Sequence, residues 1–236
     1  MVPEWRHSHP IDPVVHNRSV TRELARDGEL VLREREDSSL ELRANGVFVM
    51  DTVETSTERA LADRALELCR FPEAVLIGGL GLGVTLDAVL ADDRVGQVTV
   101  VEIEPALVGW MRDGTVPHGP ALLADSRVRV EVADIADALR TAPPSEYDLV
   151  LLDVDNGPGY LVHDANAALY QGPLLAEALR VTRPGGMTVV WSAAESPALE
   201  RAMREVFGEW RVEAVPYPVD LQGRDETYWL YAGHSA

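Results

Sequence analysis

The chain has 236 residues, 46% hydrophobic and 25% charged, a globular balance that excludes a fibrous repeat or a wholly disordered chain. Its formal net charge is -18 and every basic residue is arginine, so the summed field disfavours nucleic acid and anionic membrane as partners, and the lack of lysine excludes Schiff-base chemistry and a Walker-type phosphate loop. No apolar run approaches the roughly 18 residues of a membrane span and the N-terminus shows no apolar signal region, so the expectation is a cytoplasmic protein; its acidic balance reads first as a solvated surface, with steering of a cationic small substrate as the alternative.

In chain order, residues 1–28 carry prolines and histidines without clean periodicity and read as a loosely structured arm. The stretches ELVLRERED and SSLELRANGVFVMDT alternate apolar and polar residues around a polar break and an Asn45-Gly46 turn, which predicts two or three short antiparallel strands. A Ser/Thr cluster, Glu58, and then Leu61, Ala65, Leu66 and Cys69 at helical spacing predict a helix over 55–70. Cys69, the one cysteine, lies on the apolar face of that helix and reads as a buried, inert thiol.

From residue 70 the pattern changes to apolar runs, AVLIGG, VTVVEIE, VRVEVAD, YDLVLLDVD and GMTVVWS, separated by helix-length stretches. The helices are placed at 84–90, 105–111, 135–140, 169–179 and 197–207, and WRVEAVPYPV and ETYWLYAG read as two closing strands. Continuous apolar strands alternating with helices imply a parallel sheet covered on both faces. The predicted fold class is therefore α/β: a Rossmann-like, mostly parallel seven-stranded sheet with helices on both faces, plus a small N-terminal antiparallel β-appendage. Residues 1–54 are assigned to the arm and appendage and 55–236 to a nucleoside-binding catalytic domain.

In an open parallel sheet the ligand lies beyond the carboxyl ends of the strands. AVLIGG runs straight into Gly79, Gly81 and Gly83 and then a helix, a turn suited to close backbone contact with a ligand. VTVVEIE puts Glu102 at its end, where a carboxylate can accept from both ribose hydroxyls, with Ile103 beside it; Glu104 reads as a helix-start charge ahead of Pro105. Asp134, followed by Ile135, is placed either to accept from an adenine amine or to cap the next helix. Asp153 and Asp155 close an otherwise apolar strand before Asn156-Gly157-Pro158-Gly159, and strand alternation would point both carboxylates into the crevice to hold an ammonium group and take its proton. His118 and His163 lack partners at metal-ligand spacing and read as loop residues; Tyr160 is placed over the crevice and Trp191 in the core.

These residues, in this order, resemble the spermidine synthase family of aminopropyltransferases, within the class I S-adenosylmethionine-dependent methyltransferase-like superfamily. The likeness rests on NGVFVMDT, GGLGLG, VVEIEP, RVRVEVADIADAL, LVLLDVD and RPGG, and runs from about residue 30 to the C-terminus. It implies a transferase of polyamine biosynthesis in which Glu102 binds the ribose, Asp134 the adenine amine, and Asp153 deprotonates the attacking amine. The co-substrate would be decarboxylated S-adenosylmethionine, the acceptor a small-molecule amine, no metal would be required, and a homodimer through the N-terminal strands is a further expectation. The chain departs from the family in three places. The family loop usually reads Gly-Gly-Gly-Asp-Gly-Gly, whose aspartate holds the aminopropyl ammonium, and Gly81 stands there; Ser56 and Thr57 stand where the family has Tyr-His; and one residue rather than two separates the fourth strand's aspartates. Two alternatives stay open: methyl transfer from intact S-adenosylmethionine, and a nucleoside-binding protein without catalysis. A dehydrogenase fits less well, because the third glycine of its fingerprint would fall at Val84.

Overall fold

A computed structural model describes residues 18–25, 28–154, 157–159, 161, 164–221 and 224–236. Four strands come first, β1 (Arg18–Ala25), β2 (Gly28–Glu34), β3 (Leu40–Ala44) and β4 (Val47–Asp51), each paired antiparallel with the next. There follow α1 (Ser56–Leu68), β5 (Ala74–Gly78), α2 (Val84–Leu90), β6 (Gln97–Glu102), α3 (Pro105–Asp113), α4 (Gly119–Leu123), β7 (Val128–Val132), α5 (Ile135–Thr141) and β8 (Tyr147–Leu152). A 3-10 segment (Asp164–Tyr170) leads to α6 (Gly172–Val181), β9 (Thr182–Ser192) and α7 (Pro197–Phe207), and β10 (Val212–Leu221) and β11 (Arg224–His234) close the chain. Among the described residues no helix is long and apolar enough to cross a membrane.

The large sheet has the order β10-β11-β9-β8-β5-β6-β7. Its β7, β6, β5, β8 and β9 run parallel, and β11 enters antiparallel to β9. β5 is buried along its whole length, and its successive side chains serve opposite faces. Val75 and Ile77 pack with Leu61 of α1, Leu86 of α2, Leu107 of α3 and Leu32 of β2, whereas Ala74 and Leu76 pack with Leu139 of α5, Leu175 of α6 and Met203 of α7. Burial on both faces is why these strands read as unbroken apolar runs, and the predicted fold class is the observed one.

The small sheet forms because Asn45 and Gly46 both take positive φ, 53° and 77°, in the tight turn between β3 and β4. A polar knot fixes it from the other end: Arg35 donates to Glu41 at 2.6 Å and to Asp51 at 2.7 Å, and both carboxylates are buried. Burial works against the Glu41 carboxylate, yet bonds from Arg43 and Arg35 outweigh it and hold the group below its ordinary range.

Several predicted elements change. Residues 18–25, read as part of an arm, form β1, because hydrogen bonding to β2 supplies an order that weak local periodicity does not signal. The helix predicted over 105–111 extends to Asp113, and α4 was not foreseen, being only five residues long with Pro120 at its start. The helix predicted over 169–179 starts at Gly172, since residues up to Tyr170 are wound as 3-10. The RPGG turn interrupts β9: the pairing partners of Tyr147 and Leu149 jump from Thr182 to Met187. α1 has Thr55 at its N-cap position without a side-chain cap bond; Glu54 accepts from the Ser56 N–H instead, at 2.9 Å. Cys69 is buried as expected, and burial pushes its thiol pKa up.

Candidate active site

β5 lies between β6 on one side and β8 on the other, so the sheet's order reverses at its carboxyl end. Because the strands are parallel and in register, Gly78 pairs with Val101 and with Leu152, and the residues just beyond each strand arrive side by side. The Gly79 N–H donates to Val101 O at 2.9 Å and the Asp153 N–H donates to Gly78 O at 2.9 Å, which ties the three tips together. A cleft of about 1000 Å³, including its solvent-filled mouth, opens over them.

The carboxylates on its wall are Glu58, Glu102, Glu104, Asp134 and Asp153, and no basic side chain lines it among the described residues. Gly79, Gly81, Ile103, Ile135 and Val154 complete the sheet side. Gly83 does not line this cleft. It sits behind the loop, where an added Cβ would meet Met111 and Leu122, and it borders a separate depression with Thr55 and His118. Asp155, Tyr160 and His163 lie outside the described residues, so the expected aspartate pair is represented by Asp153 alone.

Glu102 is 6% exposed, and its two oxygens accept from the Leu80 N–H and the Glu104 N–H, each at 2.8 Å. Burial raises its pKa and those two backbone donors oppose the rise. Glu104, read as a helix-start surface charge, is itself buried at the head of α3 and faces the cleft. Asp134 takes the capping role, its Oδ1 accepting from the Ala136 N–H at 2.8 Å at the start of α5, and the residue also lines the cleft. Asp153 accepts from the Thr85 hydroxyl at 2.6 Å, and burial pushes its pKa up against that bond.

Gly79 has φ +95°, and a Cβ there would stand 2.1 Å from the Asp153 carbonyl oxygen. Both the backbone conformation and the close approach therefore demand glycine. Gly79→Ala should cost more than about 2 kcal/mol and lower the melting temperature by about 4 °C or more, a loss that differential scanning calorimetry would register. At Gly81 a Cβ would come within 2.7 Å of the Met50 sulfur, and that sulfur accepts from the Leu82 N–H at 3.2 Å. The thioether of β4 thus packs over the loop where a longer residue at 81 would project.

Sequence reading missed three contributions to this cleft. Leu30, Leu42, Ala44, Val49 and Met50 of the small sheet form an apolar wall, signalled only by the apolar alternation of those strands. Glu58, read as a first-turn helix charge, lines the cleft; Thr57 donates to its Oε2 at 2.8 Å. Burial and then the negative charge of Asp153 push its pKa up to about 7. Trp191 belongs to the core as expected but also lines the cleft, and its buried indole Nε1–H has no hydrogen-bond partner among the described residues.

The Glu58 shift sets a direction for stability. A carboxyl whose folded pKa lies above its unfolded value of 4.5 favours folding most below that value, and the contribution is lost as pH rises through about 7. Carboxylates held low, such as Asp125 at about 2, act only at more acid pH. The ligand-free melting temperature should therefore fall by roughly 5 °C between pH 5 and 8 after discounting for partial exposure, and Glu58→Gln should flatten that fall in thermal denaturation.

Among the described residues no group of three or more His, Cys, Asp or Glu side chains is placed to hold a metal ion. No family model matches the chain. In sequence it is 31% identical over 127 residues to putrescine N-methyltransferase 3 of Nicotiana tabacum, covering 53% of this chain and 31% of that protein. It is also 31% identical over 159 residues to spermidine synthase 1 of Pisum sativum, covering 64% of this chain and 45% of that one, so it spans less than half the length of either relative. Among solved structures, spermidine synthase from Thermotoga maritima matches with TM-score 0.76 at 16% identity, covering 93% of this chain and 73% of that one. A spermidine synthase in complex with the transition state analogue AdoDATO matches with TM-score 0.78 at 17% identity, covering 93% and 74%. The chain therefore has the fold of the spermidine synthases and resembles in sequence both that family and the putrescine N-methyltransferases.

Proposed function

We propose that this protein is a spermidine-synthase-like transferase that moves an aminopropyl group from decarboxylated S-adenosylmethionine to a small amine. The observation that carries the reading is the wall of the cleft: Glu58, Glu102, Glu104, Asp134 and Asp153 face it with no basic side chain among the described lining residues. Such a wall attracts a sulfonium, an alkylammonium or both, and it disfavours the carboxylate that intact S-adenosylmethionine carries. In this reading residues 55–236 are the catalytic domain and residues 1–54 the N-terminal arm and appendage, whose strands β2–β4 contribute Leu30, Leu42 and Met50 to the cleft.

Glu102, Ile103, Asp134 and Ile135 would hold the adenosine, with Glu102 on the ribose hydroxyls and Asp134 on the exocyclic amine. The Gly79–Gly81 backbone lets the sulfur centre approach the strand tips closely. Asp153, its pKa raised by burial, accepts a proton from the acceptor's ammonium. The freed nitrogen then bonds to the carbon beside sulfur while the carbon–sulfur bond breaks, its electron pair staying on sulfur, and neutral methylthioadenosine leaves.

Methyl transfer is the second reading, favoured by two observations: the resemblance to putrescine N-methyltransferases, and the absence of a side chain at Gly81. Incubation with putrescine and either donor separates the two. Methylthioadenosine release from the decarboxylated donor supports aminopropyl transfer; S-adenosylhomocysteine release from the intact donor, with none of the former, overturns it.

A further inference from the structure

We infer that His118 is a positioning residue for the glycine loop: from the depression behind the loop its ring holds the Leu82 carbonyl and keeps Gly79–Gly83 in the shape presented to the cleft. The inference rests on reading the cleft as a nucleoside site, and it adds a residue that does not itself line the cleft.

The loop cannot fix its own shape. Its three glycines all take positive φ, 95°, 49° and 83°, and glycine gives up more freedom on ordering than any other residue, so the order has to come from contacts. Leu80 and Leu82 supply part of it from the core, 4% and 0% exposed. Side chains from three distant elements supply the rest. Glu102 of β6 accepts from the Leu80 N–H at 2.8 Å, Met50 Sδ of β4 accepts from the Leu82 N–H at 3.2 Å, and the His118 ring bonds to the Leu82 carbonyl oxygen at 2.6 Å. A carbonyl only accepts, so His118 Nε2 carries the hydrogen and donates. The Leu82 backbone is therefore gripped from two sides, since Met50 lines the cleft and His118 lines the separate depression.

His118 reaches that carbonyl because the chain after α3 folds back tightly. Gly114 ends the helix in the left-handed region (φ 85°), and the Val116 N–H donates to Trp110 O and the Gly119 N–H to Val116 O, each at 2.9 Å. At Gly119 a Cβ would stand 2.3 Å from Met111 O, so only glycine lets this turn lie against α3. Met111 and Leu122 in turn pack where a Cβ on Gly83 would project, which brings the head of α4 beside the loop. Leu82 is fully buried, and among the described residues His118 is the one donor to its carbonyl. Removing the ring leaves a buried acceptor without its donor, and the loop regains shapes that do not fit a nucleoside. Apparent affinity then falls with the fraction of chains that keep the competent shape.

Calorimetric titration of methylthioadenosine into the full chain, together with amide hydrogen exchange of the segment 79–84, tests this. His118→Ala should weaken methylthioadenosine binding by about fivefold and speed exchange in that segment, while the protection of β5, β6 and β8 stays as in the wild type. His118→Gln, whose side-chain amide also donates, should restore most of both. Val116→Ala, which removes buried volume from the same turn and leaves the Leu82 bond in place, should lower the melting temperature without changing the affinity. Wild-type affinity and exchange in His118→Ala, or a loss that His118→Gln fails to reverse or that Val116→Ala reproduces, overturns the positioning role. A wild type that does not bind methylthioadenosine removes the nucleoside reading of the cleft, and this role with it.

Discussion

Asp153→Asn is expected to lower amine-transfer turnover by about 10²–10⁴-fold while leaving nucleoside affinity nearly unchanged, as measured by steady-state product release and by calorimetry with methylthioadenosine. The asparagine amide keeps the shape and can still accept from Thr85, which donates to Asp153 Oδ2 at 2.6 Å. What disappears is the negative charge and the capacity to take a proton. An alkylammonium near pH 7 is almost wholly protonated, and without a base at the strand tip its nitrogen has no lone pair with which to attack. Burial raises the Asp153 pKa above its ordinary value, which makes it a better proton acceptor than an ordinary surface aspartate. The loss should therefore fall on kcat, with only a modest rise in KM for the amine. A parallel loss of nucleoside binding would show instead that Asp153 acts as a scaffold for the loop.

Glu102→Gln should have the opposite signature, weakening nucleoside binding by about 30-fold or more and lowering the melting temperature by about 4 °C. Both oxygens of Glu102 accept backbone N–H donors, from Leu80 and Glu104, and the side chain is almost fully buried. An amide offers one acceptor and one NH₂, so one of the two backbone donors must face another donor. The glycine loop and the start of α3 are tied through this one carboxylate, which makes the damage structural as well as functional. Calorimetric binding together with a melting curve checks both halves. Unchanged affinity alongside a lowered melting temperature would confine Glu102 to the structural role.

The strand tips were legible in the sequence because buried parallel strands write themselves as apolar runs, so their ends, Gly79, Glu102 and Asp153, are marked by the first glycine or acid that follows. Asp134 was legible for the same reason, although capping and ligand contact could not be separated by position alone, and the structure gives it the cap and the cleft together. Gly83 was misjudged because a glycine series reads as one loop, whereas the chain turns inside it and carries Gly83 to the far side, next to Met111 and Leu122. Glu58 was hidden by its local role: an acid in the first turn of a helix has a sufficient explanation without any ligand. Its juxtaposition with Asp153 depends on how α1 packs across the sheet, which no local pattern encodes. Met50 and the rest of the apolar wall were equally invisible, because nothing in the alternation of β2–β4 says which element their apolar face covers.

If carboxylates at successive strand tips converge over a glycine bend to hold an adenosyl thioether, methylthioadenosine must stabilise the folded chain, and thermal melting of the unmodified protein with that nucleoside reads the effect. At about one hundred times the dissociation constant, a ligand that binds only the folded chain adds about 2.7 kcal/mol, so the melting temperature should rise by roughly 5–10 °C. A melting temperature that does not move up to millimolar methylthioadenosine would exclude an adenosyl-thioether site over these strand tips.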